Sequence, residues 1–315
     1  MSMRQTVRPQ RRFPSMRPSK TAVTQDTDPA HDDRIRDIKS SSSYRVAHTD
    51  PDFMCRAELR PVRLQLELMK PELVMHEMHV DSTIVVFGGT RVLERSIAQA
   101  RLDAARAELA AAPGDLALQR RVRIAENVLK KAHYYDEARA LARIVSAQCQ
   151  VDRRCDYVIC TGGGPGIMEA ANRGAWDVGA KSIGLNITLP FEQEPNSYIT
   201  PELCFEFKYF AIRKMHFLMR AKAMIAFPGG FGTLDELFET LTLIQTHRMS
   251  PMPVVLFGRD YWNRLVNWEM FVEEGTISPE DLNLISYAET ADQCWKIICD
   301  FYARQEVDER LPRGQ

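Results

Sequence analysis

Hydrophobic residues along this chain gather in short, nearly continuous runs separated by longer mixed segments. Continuous apolar runs, rather than alternating ones, are typical of parallel strands buried on both faces. The predicted strands are residues 83–87, 157–160, 182–186, 203–207, 223–227 and 254–257, with a weaker one near Ile285. Helical patterns lie between most of them. This alternation predicts the α/β class, with one doubly wound, mostly parallel sheet of the Rossmann-like type.

Two helical regions lie outside this alternation. Residues 60–79 are rich in leucine and methionine and predict one or two helices, broken at Pro71. Residues 91–146 are charged and alanine-rich, with periodic leucines and valines and a turn signal at 113–115. They predict a helical hairpin inserted before the second strand.

The N-terminal residues have a different composition from the rest. The first 20 residues carry several arginines, no acidic residue and three prolines, and a serine run follows at 40–43. Such a segment buries too little apolar surface to fold alone, so a disordered tail is expected. A basic tail could touch RNA or another subunit, although a solvated extension is the more ordinary interpretation.

Bulk properties exclude several classes of protein. The 315 residues are 45% hydrophobic, with a formal net charge of −1, which gives no global sign of a nucleic-acid or membrane partner. The 7 cysteines form no CxxC pair, which favours free thiols in a reducing compartment. No apolar run approaches a membrane span, and no apolar signal core begins the chain. We therefore expect a soluble, cytoplasmic protein.

Two glycine loops carry the first signs of chemistry. Pro228-Gly229-Gly230-Phe231-Gly232-Thr233 follows one predicted strand and begins a helix. Residues 162–166, with four glycines around Pro165, follow another strand in the same way. Closely spaced glycines expose backbone N–H groups, and the start of a helix attracts an anion such as phosphate. Loops of this kind gather at the carboxyl edge of a parallel sheet, so the pair predicts a nucleotide site.

The spacing of these loops argues against two common nucleotide motifs. Neither loop has the GxGxxG dinucleotide spacing, and the GxxxxGK[ST] pattern is absent. The ligand that still fits the two loops is a mononucleotide, with its phosphate at residues 230–233 and its base or sugar near residues 162–168.

Charged residues flank the loops. Glu236 lies one turn into the helix that follows Gly232, and Arg213-Lys214 lie on the preceding predicted helix. Each of these residues can also be interpreted as structural, with no role in binding or catalysis. Thr233 and Glu236 have the spacing of a capping box, and the two cations could simply lie on a solvated helix face. His216 is expected to pack or cap.

Together these residues resemble the LONELY GUY family of cytokinin riboside 5'-monophosphate phosphoribohydrolases, often mislabelled lysine decarboxylases. The resemblance covers roughly residues 82–298. The family signature PGGxGTxxE is present as residues 228–236, the Arg-Lys pair precedes it at the matching separation, and the loop at 162–166 is similar to the family's nucleotide-binding loop. The N-terminal extension and the insertion at 91–146 are similar to longer bacterial members.

The resemblance implies hydrolysis of the N-glycosidic bond of a cytokinin riboside monophosphate or AMP, giving free base and ribose 5-phosphate. It implies Arg213 and Glu236 as catalytic residues. The implied substrate-binding residues are Gly163, Gly164, Gly166, Met168, Lys214, Gly229, Gly230, Gly232 and Thr233. It also implies a homo-oligomer, either a dimer or a hexamer built from dimers. We expect no metal and no cofactor.

The domain organisation expected on these grounds has four parts. Residues 1–58 form a tail, residues 59–80 a helical extension, residues 81–305 a single Rossmann-like catalytic domain containing the insertion, and residues 306–315 a second tail. An alternative function is open: a nonenzymatic nucleotide or molybdenum-cofactor carrier of the same fold. Lysine decarboxylation is disfavoured, because it would require pyridoxal phosphate on Lys214, whose neighbours suit a different role.

Overall fold

The computed structural model describes residues 29–151, 155–189 and 194–310. Contacts divide the chain into two units, residues 1–60 and 61–315. The first holds helices α1 (Pro29–Ser40) and α2 (Pro51–Met54) and short 3-10 turns. Its local order comes from Asp50, which accepts hydrogen bonds from the N–H groups of Asp52 and Phe53 and so caps α2. The predicted N-terminal tail therefore contains helices where it is described, and residues 1–28 lie outside the described part.

The second unit is built around seven parallel strands. They are β1 (Thr83–Phe87), β2 (Val158–Thr161), β3 (Ser182–Ile187), β4 (Cys204–Phe207), β5 (Ala221–Ala226), β6 (Val254–Phe257) and β7 (Ile285–Ala288). The helices are α3 (Arg60–Glu77), α4 (Arg95–Ala111), α5 (Leu116–Lys130), α6 (Ala132–Cys149), α7 (Ile167–Trp176), α8 (Phe210–Met219), α9 (Phe231–Gln245), α10 (Arg259–Leu265), α11 (Trp268–Glu273) and α12 (Ala291–Arg310). Every predicted strand is present. The doubly wound fold class is confirmed.

The sheet has the strand order β4-β3-β2-β1-β5-β6-β7. Alternate residues of the central strands enter opposite cores. Ile84 and Val86 pack with α6, α7 and α12, whereas Val85 and Phe87 pack with buried residues of α8, α9 and α10. Because both faces are covered, the strands need apolar residues at successive positions, and this is why their sequence runs are continuous.

The prediction that a helix breaks at Pro71 is wrong, because α3 is one helix with Pro71 inside it. Proline lacks an N–H, so it leaves the carbonyl four residues earlier, that of Glu67, without its helical partner. The Nε2 atom of His216 lies 3.3 Å from that Glu67 oxygen. A tertiary contact therefore offsets part of the cost of the proline.

The insertion contains three helices rather than the two of a hairpin. Helices α4 and α5 do form a hairpin with its own small core around Leu102, Ala105 and Val122. Asp115 ends the predicted turn and caps α5, accepting hydrogen bonds from two backbone N–H groups. The third helix, α6, packs in the main core beside the sheet. It is therefore the crossover helix between β1 and β2, and α4–α5 is the addition.

At the other end of the unit, α12 extends to Arg310, into the segment predicted as a C-terminal tail. No helix among the described residues has the length and apolar character needed to cross a membrane.

Candidate functional site

The order in which strands are added to the sheet reverses between β1 and β5. Strands β2 to β4 lie on one side of β1, and β6 and β7 lie beyond β5. The loops that follow β1 and β5 meet at this point, where the N–H of Gly89 donates to the carbonyl of Pro228 at 2.9 Å. In doubly wound sheets, ligands bind in the crevice at the carboxyl ends of strands at such a switch point. The topology therefore brings the predicted phosphate loop to the expected position.

The loop after β5 begins helix α9 directly. Gly230 is the N-cap residue and receives no side-chain cap, and the N–H of Thr233 donates to the carbonyl of Gly230 at 3.0 Å. Thr233 is therefore inside the first turn, and the alternative that Thr233 and Glu236 form a capping box is wrong. Because no side chain caps the helix, its first N–H groups remain available to an anion.

Two neighbouring loop glycines differ in the space around them, and their substitution is expected to have different effects. A Cβ on Gly229 would lie 2.1 Å from the Thr233 hydroxyl oxygen and 2.7 Å from its Cβ, whereas a Cβ on Gly230 meets nothing within 4 Å. We expect Gly229→Ala to lower the melting temperature by several degrees through overpacking. We expect Gly230→Ala to leave stability unchanged yet weaken AMP binding about tenfold, because the added methyl group would meet a phosphate bound to the first N–H groups of α9. Thermal unfolding and calorimetry with AMP measure both. Equal effects of the two substitutions on stability would contradict this division.

The second glycine loop, residues 162–166, is held by a residue that the motifs do not contain. The side-chain amide of Asn196 donates to the carbonyls of Gly163 and Gly164, each at 3.1 Å, and to Asn172 at 3.0 Å. Thr161 completes the buried network by donating to Asn172 and accepting from the N–H of Gly163. The loop is thus set by side chains rather than by its glycines alone. Sequence reasoning missed Asn196 because it lies in the segment that connects β3 and β4, outside both glycine loops.

Helix α8 brings Arg213 under this loop. The Arg213 Nε donates to the carbonyl of Leu185 at 2.7 Å, and the guanidinium lies 5.0 Å from the centre of the Phe217 ring. A Cβ on Gly162 would be 2.8 Å from a terminal nitrogen of Arg213, so glycine there gives the guanidinium its room. Burial lowers the pKa of Arg213, and the charge of Glu236 opposes this effect. The group stays cationic, because an arginine pKa begins far above neutrality.

The start of α8 is positioned by α3. The Glu67 carboxylate accepts hydrogen bonds from the N–H groups of Lys208 and Tyr209, at 3.0 and 3.1 Å, just before the helix. His216 reaches the Glu67 carbonyl freed by Pro71, and its Nδ1 lies 3.5 Å from Glu72. Burial lowers the pKa of His216. This histidine therefore packs α8 on α3, as expected, and helps to fix Arg213 one turn away.

Glu236 is buried, with 6% of its surface exposed. Burial raises its pKa to about 7, against the lowering effects of Lys214 and Arg213. Among the described residues, no cation lies within ion-pairing distance of its carboxylate and no side chain donates to it. A carboxyl group with these properties can hold or release a proton near neutral pH, which is what acid–base chemistry requires.

Lys214 serves α9 rather than the loops. Its Nζ lies 2.8 Å from the Asp235 carboxylate and 2.9 Å from that of Glu239. Burial lowers the pKa of Lys214, but the hydrogen bonds to these two carboxylates raise it overall. A Schiff-base lysine must lose its proton readily, so this environment is unsuited to pyridoxal chemistry.

Two cavities adjoin the switch point. The first, here called the Arg213 cavity, has a volume of about 240 Å³. Its walls include Arg213, Gly162, Gly163, Gly164, Met168, Asn186 and Phe210. The second, here called the Gly230 cavity, has a volume of about 670 Å³ and includes Gly229 and Gly230 in its wall. Thr90, in the turn after β1, lines both.

The predicted site residues thus fall into three groups. Six of the predicted site residues line one of the two cavities: Gly163, Gly164, Met168 and Arg213 line the Arg213 cavity, and Gly229 and Gly230 line the Gly230 cavity. Glu236 and Thr233 are buried in α9 and line neither. Gly166 begins α7, and Gly232 lies in the first turn of α9. The predicted site is therefore spread along one edge of the sheet.

Fold and site together define a Rossmann-like α/β protein whose switch point has a glycine loop leading into an uncapped helix start and a buried carboxyl group with a raised pKa. A cytokinin riboside 5'-monophosphate phosphoribohydrolase of Arabidopsis thaliana is 34% identical over 161 residues, which are 50% of this chain and 73% of that protein. A probable enzyme of the same name from Oryza sativa subsp. japonica is 33% identical over 172 residues, 52% of this chain and 74% of that protein. The chain belongs to the LONELY GUY family.

A family model and a solved structure are also similar to this chain. The family model described as possible lysine decarboxylase matches residues 168–298. Among solved structures, the molybdenum cofactor carrier protein of Chlamydomonas reinhardtii is similar with a TM-score of 0.43 and 15% identity, over 71% of this chain and 99% of that chain.

Proposed function

We propose that this chain hydrolyses the N-glycosidic bond of a nucleoside 5'-monophosphate, releasing the free base and ribose 5-phosphate. The observation that carries the proposal is that the half-buried Arg213, which lies against the loop at Gly162, is close enough to the buried Glu236 for each charge to act on the pKa of the other. The names of the plant relatives, which are cytokinin riboside 5'-monophosphate phosphoribohydrolases, support the same reaction.

The proposed substrate lies across the switch point. Its 5'-phosphate accepts hydrogen bonds from the first N–H groups of α9, and its base enters the Arg213 cavity between Met168 and Phe210. Met168 and Phe210 are apolar side chains in the lining of this cavity, which suits the flat faces of a purine. The ribose then lies between the two cavities, beside Thr90. Binding energy from the phosphate locates C1', because remote contacts hold the reacting atom in place.

Glu236 and Arg213 have separate roles in this mechanism. The bond from C1' to the base nitrogen breaks as positive charge develops on the sugar. The ionised Glu236 stabilises that charge and takes a proton from the attacking water, whose oxygen bonds to C1'. Arg213 supports the leaving base, which departs with the bonding electrons and takes up a proton from solvent, while Glu236 returns to solvent the proton that it took from the attacking water. The atoms of one water molecule are thereby divided between ribose 5-phosphate and base.

A panel of nucleoside monophosphates tests the proposal. Purified protein is incubated with AMP, isopentenyladenosine monophosphate, CMP and UMP, and released base is measured by chromatography. We expect cleavage of a purine monophosphate, with the ratio of kcat/KM between AMP and the isopentenyl substrate reporting how far the Arg213 cavity accepts a side chain. The matching nucleosides without phosphate are the controls and should react far more slowly. Absence of cleavage with every monophosphate would overturn the proposal and favour a carrier.

A further inference from the structure

The Gly230 cavity is walled by an element that the family motifs do not include. Residues of α5 and its C-cap, namely Ile124, Asn127, Val128 and Lys131, face the loop residues Pro228 to Phe231 across it. Helix α5 belongs to the added hairpin, whose small core is separate from those of the sheet. The hairpin therefore lies over the loop at Pro228 to Phe231, in addition to being an insertion with its own small core.

The charge of this cavity has one sign. Arg91 and Lys131 are its basic residues, and no aspartate or glutamate is among the residues that line it. A large cavity with two cations, no carboxylate and an uncapped helix start has a positive potential, and that potential favours an anion.

Lys131 is held towards the loop by a chain of contacts. Its Nζ lies 5.4 Å from the centre of the Tyr261 ring, and the Tyr261 hydroxyl donates to the carbonyl of Gly229 at 2.5 Å. Among the described residues, no carboxylate lies within ion-pairing distance of this ammonium group. Tyr261 thus fixes both the backbone of the glycine loop and the cation beside it.

Two structural roles for Lys131 need to be weighed against binding. It is the C-cap residue of α5, where a cation interacts favourably with the helix dipole, and its contact with Tyr261 is itself weakly stabilising. Lys130, the preceding residue, would serve the first purpose equally well, and it is exposed. Of these two lysines, it is Lys131 that lines the acid-free cavity beside the loop at Gly230.

We infer that Lys131 of the inserted hairpin binds the 5'-phosphate of the nucleotide, opposite the backbone N–H groups of the loop at Gly230. This inference rests on the proposed function for the identity of the ligand. It assigns the hairpin a role in affinity: α5 supplies a charge-assisted contact to a phosphate that the loop alone would bind with neutral donors. Lys131 is a binding residue, and it takes no part in breaking the bond.

Lys131→Met is the decisive variant, because it removes the charge and keeps an unbranched apolar stem over Tyr261. We expect AMP affinity, measured by calorimetry, to weaken about tenfold or more, and the binding of adenosine, which lacks the phosphate, to stay unchanged. The salt dependence of AMP binding should become shallower. KM for the monophosphate should rise with little change in kcat. Lys131→Arg should retain most of the affinity.

The matched control is Lys130→Met, which removes the same charge one residue away and should leave AMP binding as in the wild type. The inference is overturned if Lys131→Met binds AMP normally, if it loses AMP and adenosine equally, or if Lys130→Met has the same effect. Binding needs no turnover, so the two proposals fail separately. A wild-type protein that binds AMP without cleaving it would contradict only the proposed function. Normal kinetics in Lys131→Met would contradict only this inference. A wild-type protein that binds neither AMP nor inorganic phosphate removes both.

Discussion

Glu236→Gln is expected to abolish turnover and, at the same time, to stabilise the protein above neutral pH. The substitution keeps the shape of a buried side chain and removes its ability to ionise. Loss of a general base or charge stabiliser costs on the order of 10³-fold in kcat. The affinity for AMP should change little, because the phosphate and the base are bound elsewhere.

The stability effect follows from the pKa of Glu236, which burial raises from its ordinary 4.5 to about 7. Between these two values the folded protein holds a proton that the unfolded chain has released, so wild-type stability falls as pH rises through that window. Glutamine does not ionise, so in the variant this dependence of stability on pH is lost. Glu236→Gln should therefore be more stable at pH 8 by at most roughly 3 kcal/mol, and equal in stability to the wild type at pH 4.

Thermal unfolding across this pH range tests the expected gain in stability, and kcat measured on the same samples tests the expected loss of turnover. The wild-type kcat/KM should rise with pH through about 7, because the ionised carboxylate is the active form. Asp235→Asn removes the same charge from the adjacent, exposed side chain and should retain most of the activity. A Glu236→Gln protein that melts earlier than the wild type and still cleaves nucleotide would show that the carboxylate is structural.

The strands could be predicted from sequence because their signal is local. Each apolar run ends at a turn or polar break, and the burial of Ile84 to Val86 on two faces leaves little choice of residue. Pro71 shows the limit of such reasoning. The helix survives it through a contact with His216, far away along the chain, and propensity carries no information about that contact.

The site residues that come soon after the end of a strand could be predicted from sequence. The two glycine loops and Glu236 are of this kind, and they lie at one edge of the sheet because the strands are parallel. The spacing of Thr233 and Glu236 also allowed a capping box, and that alternative is wrong because the helix begins earlier, at Phe231. Asn196 and Lys131 come from a connecting segment and an added hairpin, so only the folded chain shows what they contact.

Arg213→Ala is expected to lower kcat/KM on the order of 10²- to 10³-fold and to move the pH dependence of the residual activity. The loss in rate is that of a preorganised donor facing the leaving group. The pH effect has a different origin: Arg213 lowers the pKa of Glu236, so its removal raises that pKa further. The ionised carboxylate then forms only at higher pH, and the rise in kcat/KM should move above about 7.

Two further substitutions separate the charge of Arg213 from its geometry. Arg213→Lys keeps a cation near Glu236 but loses the Nε hydrogen bond to Leu185, so the pH midpoint should stay near the wild type while kcat/KM still falls. Arg220→Ala, at the C-cap of the same helix, breaks the ion pair with Glu72 and should lower the melting temperature without moving the midpoint. A midpoint that is unchanged in Arg213→Ala, or that moves equally in all three variants, would contradict the coupling of Arg213 to Glu236. A shift confined to Arg213→Ala would assign the cation two functions, since it would both hold the leaving base and keep the carboxylate ionised at the pH of the reaction.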